Sequence, residues 1–566
     1  MSSSRKAEPL ASGRRRDQAL HPIAPKTPYG IAGPTLPTSK RLAVLALDAA
    51  APGLLSRWTQ DGTMPHLASL TRTGLVAQTR SVEGLFVGAT WPSFYTGLDP
   101  SHHGVYWLDR ILPGTYRRQR CTADDLGRHP ALWEVLSARG RRVLVLDVPL
   151  ARRSPDLHGV QIVEWGVHDA AFGFRTTPAS LRSRLLRDPG PHPVPSSCDA
   201  PRRSTADYRD FADRLARGAA ARARLTCDLA ARRPWDFLIQ VFSECHCAGH
   251  QLWHFHDPDH PGWDASAVAE AGDLVRDVYR AVDEAIGRIL ELVDEDTAVV
   301  VTTLHGMAHA CGASILLDTV LERLGAVDPP ADALPGHPAA PGPRTLLGGL
   351  YGLLPAAVRG PLYALRQRAN QELLGRGTPL EIDPGRTRAF HVGLGLGSPV
   401  SGIRLNLRGR EPAGLLEPGP EADRFTAELV RGLRALVDAD TGVPVVEEVR
   451  RTADLFDGPR VAELPDLLVS WNPDHRLGSR VLGSGAGAIR RITSPRTGTL
   501  EAVNTYCRSG EHRIEGMLVA RGPGITAGRL GRVVSTLDLA PTFAAMLGCS
   551  MPPPAEGRPV RELLGS

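Results

Sequence analysis

Short apolar runs that end at polar side chains recur along this sequence and constrain its fold more than any other feature. The first run, RLAVLAL at 41–47, stops at Asp48. An amphipathic stretch at 131–139 and a second apolar run at 142–149 follow. Such runs are typical of parallel strands buried on both faces, and strands that alternate with helices form a doubly wound sheet. The sequence therefore predicts an α/β fold with a mostly parallel sheet and helices on both faces.

The 566 residues are too many for one small core, and their composition changes along the chain. Residues 1–38, rich in Ser, Pro, Ala and Arg, are predicted to be a disordered tail. The α/β core is expected in two parts, 39–326 and 386–566, separated by a Pro-rich loop and helical insertion at 327–385. A further insertion is predicted at about 151–232. Both insertions would cover the active-site crevice of the sheet.

Composition excludes several functional classes. A net charge of +5 is too small over this length to indicate a nucleic-acid polymer or an anionic membrane as partner. No run of 18 apolar residues is present, and Arg14–Arg16 are not followed by an apolar signal segment. We therefore expect a cytoplasmic protein, bacterial by its Arg-rich composition. Its eight cysteines are scattered, which favours reduced thiols over a disulfide framework.

The segment GATWPSFYTGLDPSHHG, at 88–104, holds the best candidate nucleophile. Thr90 precedes Trp91-Pro92, so it is predicted to be the N-cap of a helix with proline early in its first turn. That role is compatible with catalysis, because a helix N-terminus stabilises phosphate and alkoxide groups. The aromatic residues Phe94 and Tyr95 are expected to pack the helix rather than to bind a ligand.

Metal-ligating residue types follow four strand-like segments. Asp48 ends the first, SECHCAGH at 243–250 brings His246 and His250 after the second, and His305 and His512 follow two later segments. The carboxyl ends of strands meet in one crevice of an open α/β sheet, and imidazole and carboxylate ligands suit zinc. Taken singly, Asp48 could instead cap a helix, and each histidine could be structural. Together they predict a metal site.

Nearby residues of similar chemistry are assigned structural roles. His254, His256 and His260 are expected to line a surface loop. Cys245 and Cys247 form a lone C-x-C pair, which without a second pair is weak evidence for metal binding. They are therefore interpreted as buried thiols.

The order of these motifs resembles the type I phosphodiesterase/nucleotide pyrophosphatase family of the alkaline phosphatase superfamily. The resemblance covers most of 41–320 and 386–560. It is carried by these segments: VLALD ending at Asp48, MPHLASL, ATWPSFYTGLDPSHHG, AGHQLWH, HGM, GIRLNLRGREPAG, PDLLVSW, GEHRIEGMLVARGPGI and STLDLAPTFAAMLG. It implies an alkaline-phosphatase-like sheet.

The resemblance also implies a chemistry. Members of the family hold two zinc ions side by side, and a Thr or Ser attacks phosphorus. Asp48, Thr90 and His305 would hold the ion nearer the nucleophile, and His250 and His512 the other. A small phosphorylated substrate would pass through a phospho-threonine intermediate.

Two positions depart from the family pattern. The family usually has Asp where this chain has His246 and where it has Leu304. Imidazole can still coordinate zinc, giving His246, His250 and His512 as a set, but leucine cannot. Two zinc ions with one carboxylate and one alkoxide leave the centre at about +2, since each zinc ion is divalent. The sequence leaves open a weak or absent second ion, Glu244 as a replacement ligand, or a more anionic substrate.

Three functions remain open from the sequence: a hydrolase of phosphoric esters, a non-catalytic relative that binds an anionic ligand or partner, and a phosphoryl transferase. Sulfatase activity is disfavoured. The segment Thr90–Phe94 shares Pro-Ser with the sulfatase pattern C/S-x-P-S-R but lacks its modifiable residue and its arginine.

Overall fold

The structure is a computed structural model that describes residues 39–168, 170–194, 199–328, 377–395 and 397–565. The predicted tail at 1–38 and a predicted helical insert at 344–376 lie outside these ranges. Among the helices within them, none is both long and apolar enough to cross a membrane.

The described strands are β1 (Arg41–Leu47), β2 (Leu75–Arg80), β3 (Asp109–Ile111), β4 (Arg117–Arg120), β5 (Val143–Leu146), β6 (Gly159–Val163), β7 (Arg175–Thr177), β8 (Phe237–Phe242), β9 (Thr297–Thr303), β10 (Gly306–His309), β11 (Thr378–Pro379), β12 (Ala389–Val392), β13 (Val400–Leu405), β14 (Val437–Asp438), β15 (Val446–Arg451), β16 (Leu467–Trp471), β17 (Ile489–Ser494), β18 (Gly498–Val503), β19 (Gly510–Arg513), β20 (Glu515–Arg521), β21 (Gly528–Arg529) and β22 (Val534–Ser535).

The described α-helices are α1 (Pro52–Gln60), α2 (Pro65–Thr73), α3 (Thr90–Thr96), α4 (Pro100–His103), α5 (Ala123–Leu126), α6 (Leu132–Ala138), α7 (Leu181–Leu185), α8 (Thr205–Arg232), α9 (Glu244–Leu252), α10 (Ala265–Ala271), α11 (Leu274–Leu290), α12 (Leu317–Arg323), α13 (Pro420–Arg434) and α14 (Leu539–Met546).

A ten-stranded sheet forms the centre of the protein, in the order β21-β2-β20-β9-β1-β8-β5-β6-β7, with β22 also paired to β2. Strands β9, β1, β8, β5 and β6 are parallel to their neighbours within this run. Only β20 and β7 pair antiparallel with the strands beside them. The predicted mostly parallel α/β sheet is confirmed.

Both faces of the sheet are covered, as the apolar runs predict. Along β1, Ala43, Leu45 and Leu47 pack with helices α8 and α11 on one face. The alternate residues Leu42, Val44 and Ala46 pack with α3, α6 and α14 on the other. Because successive side chains of a strand point to opposite faces, a strand buried on both sides needs apolar residues throughout.

Four segments have local structure that the apolar runs alone do not predict. The stretch 51–75 forms two helices, α1 and α2, and 267–293 forms α10 and α11, interrupted at Gly272 with φ near +77°. The Gly- and Arg-rich stretch 472–511 contains β17 and β18. The predicted insertion at about 151–232 supplies β6 and β7 to the central sheet and α8 to one of its faces.

A buried ion network supports the strand ends on one side of the sheet. Arg222 of α8 donates from Nη1 to Asp147 Oδ2 (2.5 Å) and from Nε to Glu244 Oε1 (2.8 Å). His192 Nε2 lies 3.0 Å from the same Glu244 oxygen. Burial alone would raise the pKa of Glu244, but Arg222 and His192 lower it below its usual value. Glu244 is therefore an ion-pair partner of Arg222 and His192, and among the described residues it belongs to none of the groups with metal-ligand spacing.

Replacing Arg222 by Ala should destabilise the protein by about 3–5 kcal/mol, because two buried carboxylates would lose their cation. Arg222→Lys should recover little of this loss, since one ammonium cannot match the guanidinium geometry toward both partners. Urea unfolding followed by circular dichroism measures the change. Arg232→Ala, on the same helix but with an exposed ion pair to Asp228, should change stability by less than about 1 kcal/mol. Equal effects of the Arg222 and Arg232 variants would contradict the network's role.

Candidate metal centre

Three of the predicted ligand segments lie at the same edge of the central sheet. Parallel pairing sets Leu47 beside Phe242 and Ala46 beside Thr302, so β1, β8 and β9 end together. Asp48 and His305 follow two of these ends directly or within two residues. The third, β8, leads into α9, which carries His246 and His250 one turn apart.

His512 reaches this edge by a different route. It lies within β19, which pairs with β10 in a two-stranded ribbon and places His512 opposite Met307. The prediction that it follows a strand end is therefore wrong.

Close backbone contacts hold this ribbon against α9. Ser509 N donates to His250 O (2.6 Å), and His250 Nδ1 is 2.8 Å from Gly510 O. A Cβ at Gly510 would lie 2.2 Å from Gly249 O, a separation that no side chain tolerates. Glycine at 510 thus permits the approach of β19 that brings His512 beside His250.

The predicted histidines form one buried cluster. Ring centroids are 4.6 Å apart for His246 and His250, 4.8 Å for His250 and His512, and 4.9 Å for His246 and His512. His305 joins through His512, at 4.8 Å.

Asp48 joins the cluster through its carboxylate. Its Oδ2 lies 2.7 Å from His246 Nδ1. Burial alone would raise its pKa, but the neighbouring His246, His305 and Trp91 lower the pKa to about 2. Asp48 does not cap the next helix, whose N-cap is Ala51.

Four further residues belong to the cluster and carry no clear sequence signal. The ring of His168 lies 4.2 Å from that of His246. Arg508 Nη1 is 3.0 Å from His250 Nε2, and Arg508 Nη2 is 3.2 Å from His168 Nε2. Asp199 accepts from Arg508 Nε and Nη2, both at 2.9 Å. Glu511 is buried beside them, and burial raises its pKa to about 7.

Within this buried cluster, two triads have ligand atoms that all lie within 4.8 Å of one another, as a metal ion requires: His168, His246 and His250, and His250, Glu511 and His512. The Nδ1 atoms of His305 and His512 are buried and have no hydrogen-bond partner among the described residues. A buried nitrogen without a partner is costly unless something binds it. The buried histidine cluster is therefore suited to a metal ion.

Thr90 is connected to this cluster through the side chain of the next residue, Trp91. Ala89 is the N-cap of α3, so the prediction that Thr90 caps the helix is wrong. The Thr90 hydroxyl instead donates to Phe86 O and lies 2.5 Å from Ser81 Oγ. The following residue, Trp91, donates from Nε1 to Asp48 Oδ1 (3.0 Å). Within the described ranges Thr90 itself makes no hydrogen bond to the cluster histidines.

Position 304, where the sequence departs from the family pattern, holds an apolar side chain that cannot bind a metal ion. Its side chain is buried in the apolar layer that includes Trp91 and Leu518. Besides Asp48, the buried acid Glu511 lies near the histidines, with its Oε1 3.8 Å from His250 Nδ1.

The neighbouring structural assignments are mostly confirmed. Phe94 and Tyr95 are buried, and Tyr95 packs against Trp133. Cys245 and Cys247 are buried free thiols. The expected surface position of His254 and His260 is wrong, because both are buried.

The fold and this centre define an α/β protein of the alkaline phosphatase type with a histidine-rich candidate metal site. Residues 42–371 match the family model described as type I phosphodiesterase / nucleotide pyrophosphatase. The match covers more than half of the chain, and the protein belongs to this family.

Solved structures with the same fold are distant in sequence. Phosphonoacetate hydrolase from Sinorhizobium meliloti 1021, in complex with phosphonoformate, is 15% identical with a TM-score of 0.51, covering 92% of this chain and 98% of its own. Wild-type alkaline phosphatase PafA is 14% identical with a TM-score of 0.50, covering 94% and 100%. At such identities the likeness establishes the fold alone. No curated protein matches the chain.

A neutral histidine, His103, is hydrogen-bonded to α3, the helix that carries Thr90. His103 Nδ1 accepts from Val105 N (3.1 Å), so Nε2 carries the ring proton and donates to Ser93 Oγ (2.9 Å). Burial, together with neighbouring His129 and His102, lowers the pKa of His103 to about 3. Protonation of this ring would break the bond from Val105 N.

His103 should make the protein less stable as pH falls below about 6.5. The unfolded histidine then gains a proton that the folded one, with a pKa of about 3, does not. From pH 7 to pH 5 this linkage costs about 2 kcal/mol. His103→Gln should remove that part of the pH dependence, measured by urea unfolding at both pH values. If the wild type and His103→Gln lost the same stability between pH 7 and pH 5, the assignment of this pH dependence to His103 would be contradicted.

Proposed function

We propose that the protein is a metal-dependent hydrolase of phosphoric esters, of phosphodiester or nucleotide-pyrophosphate type, with Thr90 as its nucleophile. The observation that carries the proposal is the buried cluster of Asp48 and four predicted histidines, joined to the Thr90 helix by the bond from Trp91 to Asp48. Membership of the family supports the same reaction class.

Asp48, His246, His305 and His512 would hold the ion, and imidazole with carboxylate favours zinc. A divalent cation held there would lower the pKa of the Thr90 hydroxyl and would stabilise negative charge on the phosphoryl group. The unpartnered Nδ1 atoms of His305 and His512 support this assignment.

Ser81 has a role in preparing Thr90. Each hydroxyl has one proton, and Thr90 gives its own to Phe86 O, so Ser81 donates to Thr90. When Thr90 loses its proton, the bond from Ser81 remains and stabilises the alkoxide.

The reaction then proceeds in two displacements at phosphorus. Thr90 Oγ1 bonds to phosphorus as the ester oxygen leaves, and the departing alcohol takes up a proton. Water next attacks the phospho-threonine, which releases phosphate or a phosphate monoester and restores the Thr90 hydroxyl.

Thr90→Ala should reduce hydrolysis of bis-p-nitrophenyl phosphate or p-nitrophenyl phosphate to the background rate, because no oxygen remains to attack phosphorus. Thr90→Ser should retain measurable activity. Thr96→Ala is the matched control on the same helix, since its hydroxyl bonds only to Pro92 O within the described structure. Removal of metal with a chelator should abolish activity, and zinc should restore it. Turnover by Thr90→Ala equal to that of the wild type would refute the nucleophile.

One observation favours a second candidate, a non-catalytic relative that binds an anionic ligand. Leu304 removes a carboxylate from the centre, and the Thr90 hydroxyl is already engaged by Ser81 and Phe86. Metal-loaded wild type with no turnover above Thr90→Ala, across monoesters and diesters, would select this function.

A further inference from the structure

The guanidinium of Arg508 occupies a fully bonded position inside the histidine cluster. Nε and Nη2 donate to Asp199, Nη2 also to His168 Nε2, and Nη1 to both His250 Nε2 and Glu511 Oε1 (3.4 Å). These five contacts use all five N–H groups of an arginine. Tyr506 OH also donates to Asp199 (3.0 Å), which fixes the carboxylate.

The bond to His250 determines what that ring can do. A guanidinium only donates, so Nε2 of His250 accepts, and Nδ1 carries the proton that is donated to Gly510 O. Nε2 has a single lone pair in the plane of the ring. A zinc ion on that lone pair would lie about 2.0–2.1 Å from Nε2. The Arg508 nitrogen, 3.0 Å from the same atom, leaves no room for it.

This exclusion applies to both triads of the histidine cluster. Each of them contains His250, and Arg508 also contacts His168 in one and Glu511 in the other. A metal ion in either triad would require Arg508 to withdraw, which would leave the partly buried Asp199 without its cation.

We propose that Arg508 takes the place of the second metal ion. The centre binds one divalent ion, on the side of Asp48 and His305, and the guanidinium supplies a fixed positive charge on the side of His250. The inference rests on the proposed function, in that a metal ion binds to the cluster at all. It differs from the family resemblance, which assigns His250 to a second zinc.

The charges of the centre agree with this arrangement. One divalent ion and Arg508 contribute about +3, and Asp48, Asp199 and a Thr90 alkoxide contribute about −3, before Glu511 is counted. The single-ion centre is thus about neutral without the two carboxylates that the family usually has. Two ions and Arg508 together would leave about +2 in a buried space, which is costly.

Metal content of the full-length chain, measured by plasma mass spectrometry after zinc loading and desalting, tests the proposal. Wild type should hold about one ion per chain. The double variant Arg508→Ala/Asp199→Asn should hold about two, because His250 Nε2 is released without leaving a bare carboxylate. Arg476→Ala, which removes another partly buried partner of an aspartate, should stay at one. A double variant that stays at one ion would overturn the inference.

A second variant keeps Arg508 and Asp199 paired. His250→Gln should leave zinc content at about one ion and should retain the rise in melting temperature that zinc causes, whereas His305→Ala should lose both. Two ions in wild type, with one lost in His250→Gln, would overturn the role of Arg508 and leave the proposed hydrolase intact. No bound ion in wild type would instead remove the basis of the proposed function and of this inference together.

Discussion

The hydrogen bonds between the end of α9 and strand β19 determine the composition of the centre. They join His250 to Ser509 and Gly510, at a backbone approach that only glycine allows. Arg508 lies just before this contact and His512 just after it. A single backbone junction therefore delivers a candidate metal ligand and a competing cation to the same cluster of imidazoles.

Part of the centre could be predicted from sequence because its residues follow regular elements. Asp48 and His305 come after apolar strands, and His246 and His250 have the spacing of one helical turn. His168 and Asp199 lie in irregular segments, where no periodicity relates a residue to a place in the fold. Arg508 could not be distinguished from the many other arginines, because its role depends on partners far away in the chain.

The fold, like the centre, could be predicted where residues follow a regular pattern and not where their placement depends on distant partners. Strands buried on both faces are visible as continuous apolar runs, and β1 has the bounds of the apolar run at 41–47. Strand β17 does not stand out as an apolar run in the sequence, because its buried face includes Arg490, which bonds to Asp438 (3.1 Å). Pattern analysis assigns arginine to solvent, and it cannot detect a buried charge that is neutralised by a distant carboxylate.

Helix α9 has a guanidinium bound at each end: the buried Arg222 binds Glu244 in its first turn, and the partly buried Arg508 binds His250 in its last turn. The carbonyl end of a helix carries partial negative charge, so the cation at His250 is favourably placed. With both ends bound, the helix has little freedom to rotate, and the direction of its two imidazoles is set during folding. Binding of a ligand then costs little further conformational entropy of these side chains. The affinity of the centre therefore depends on the contacts with the ligand more than on the ordering of the protein.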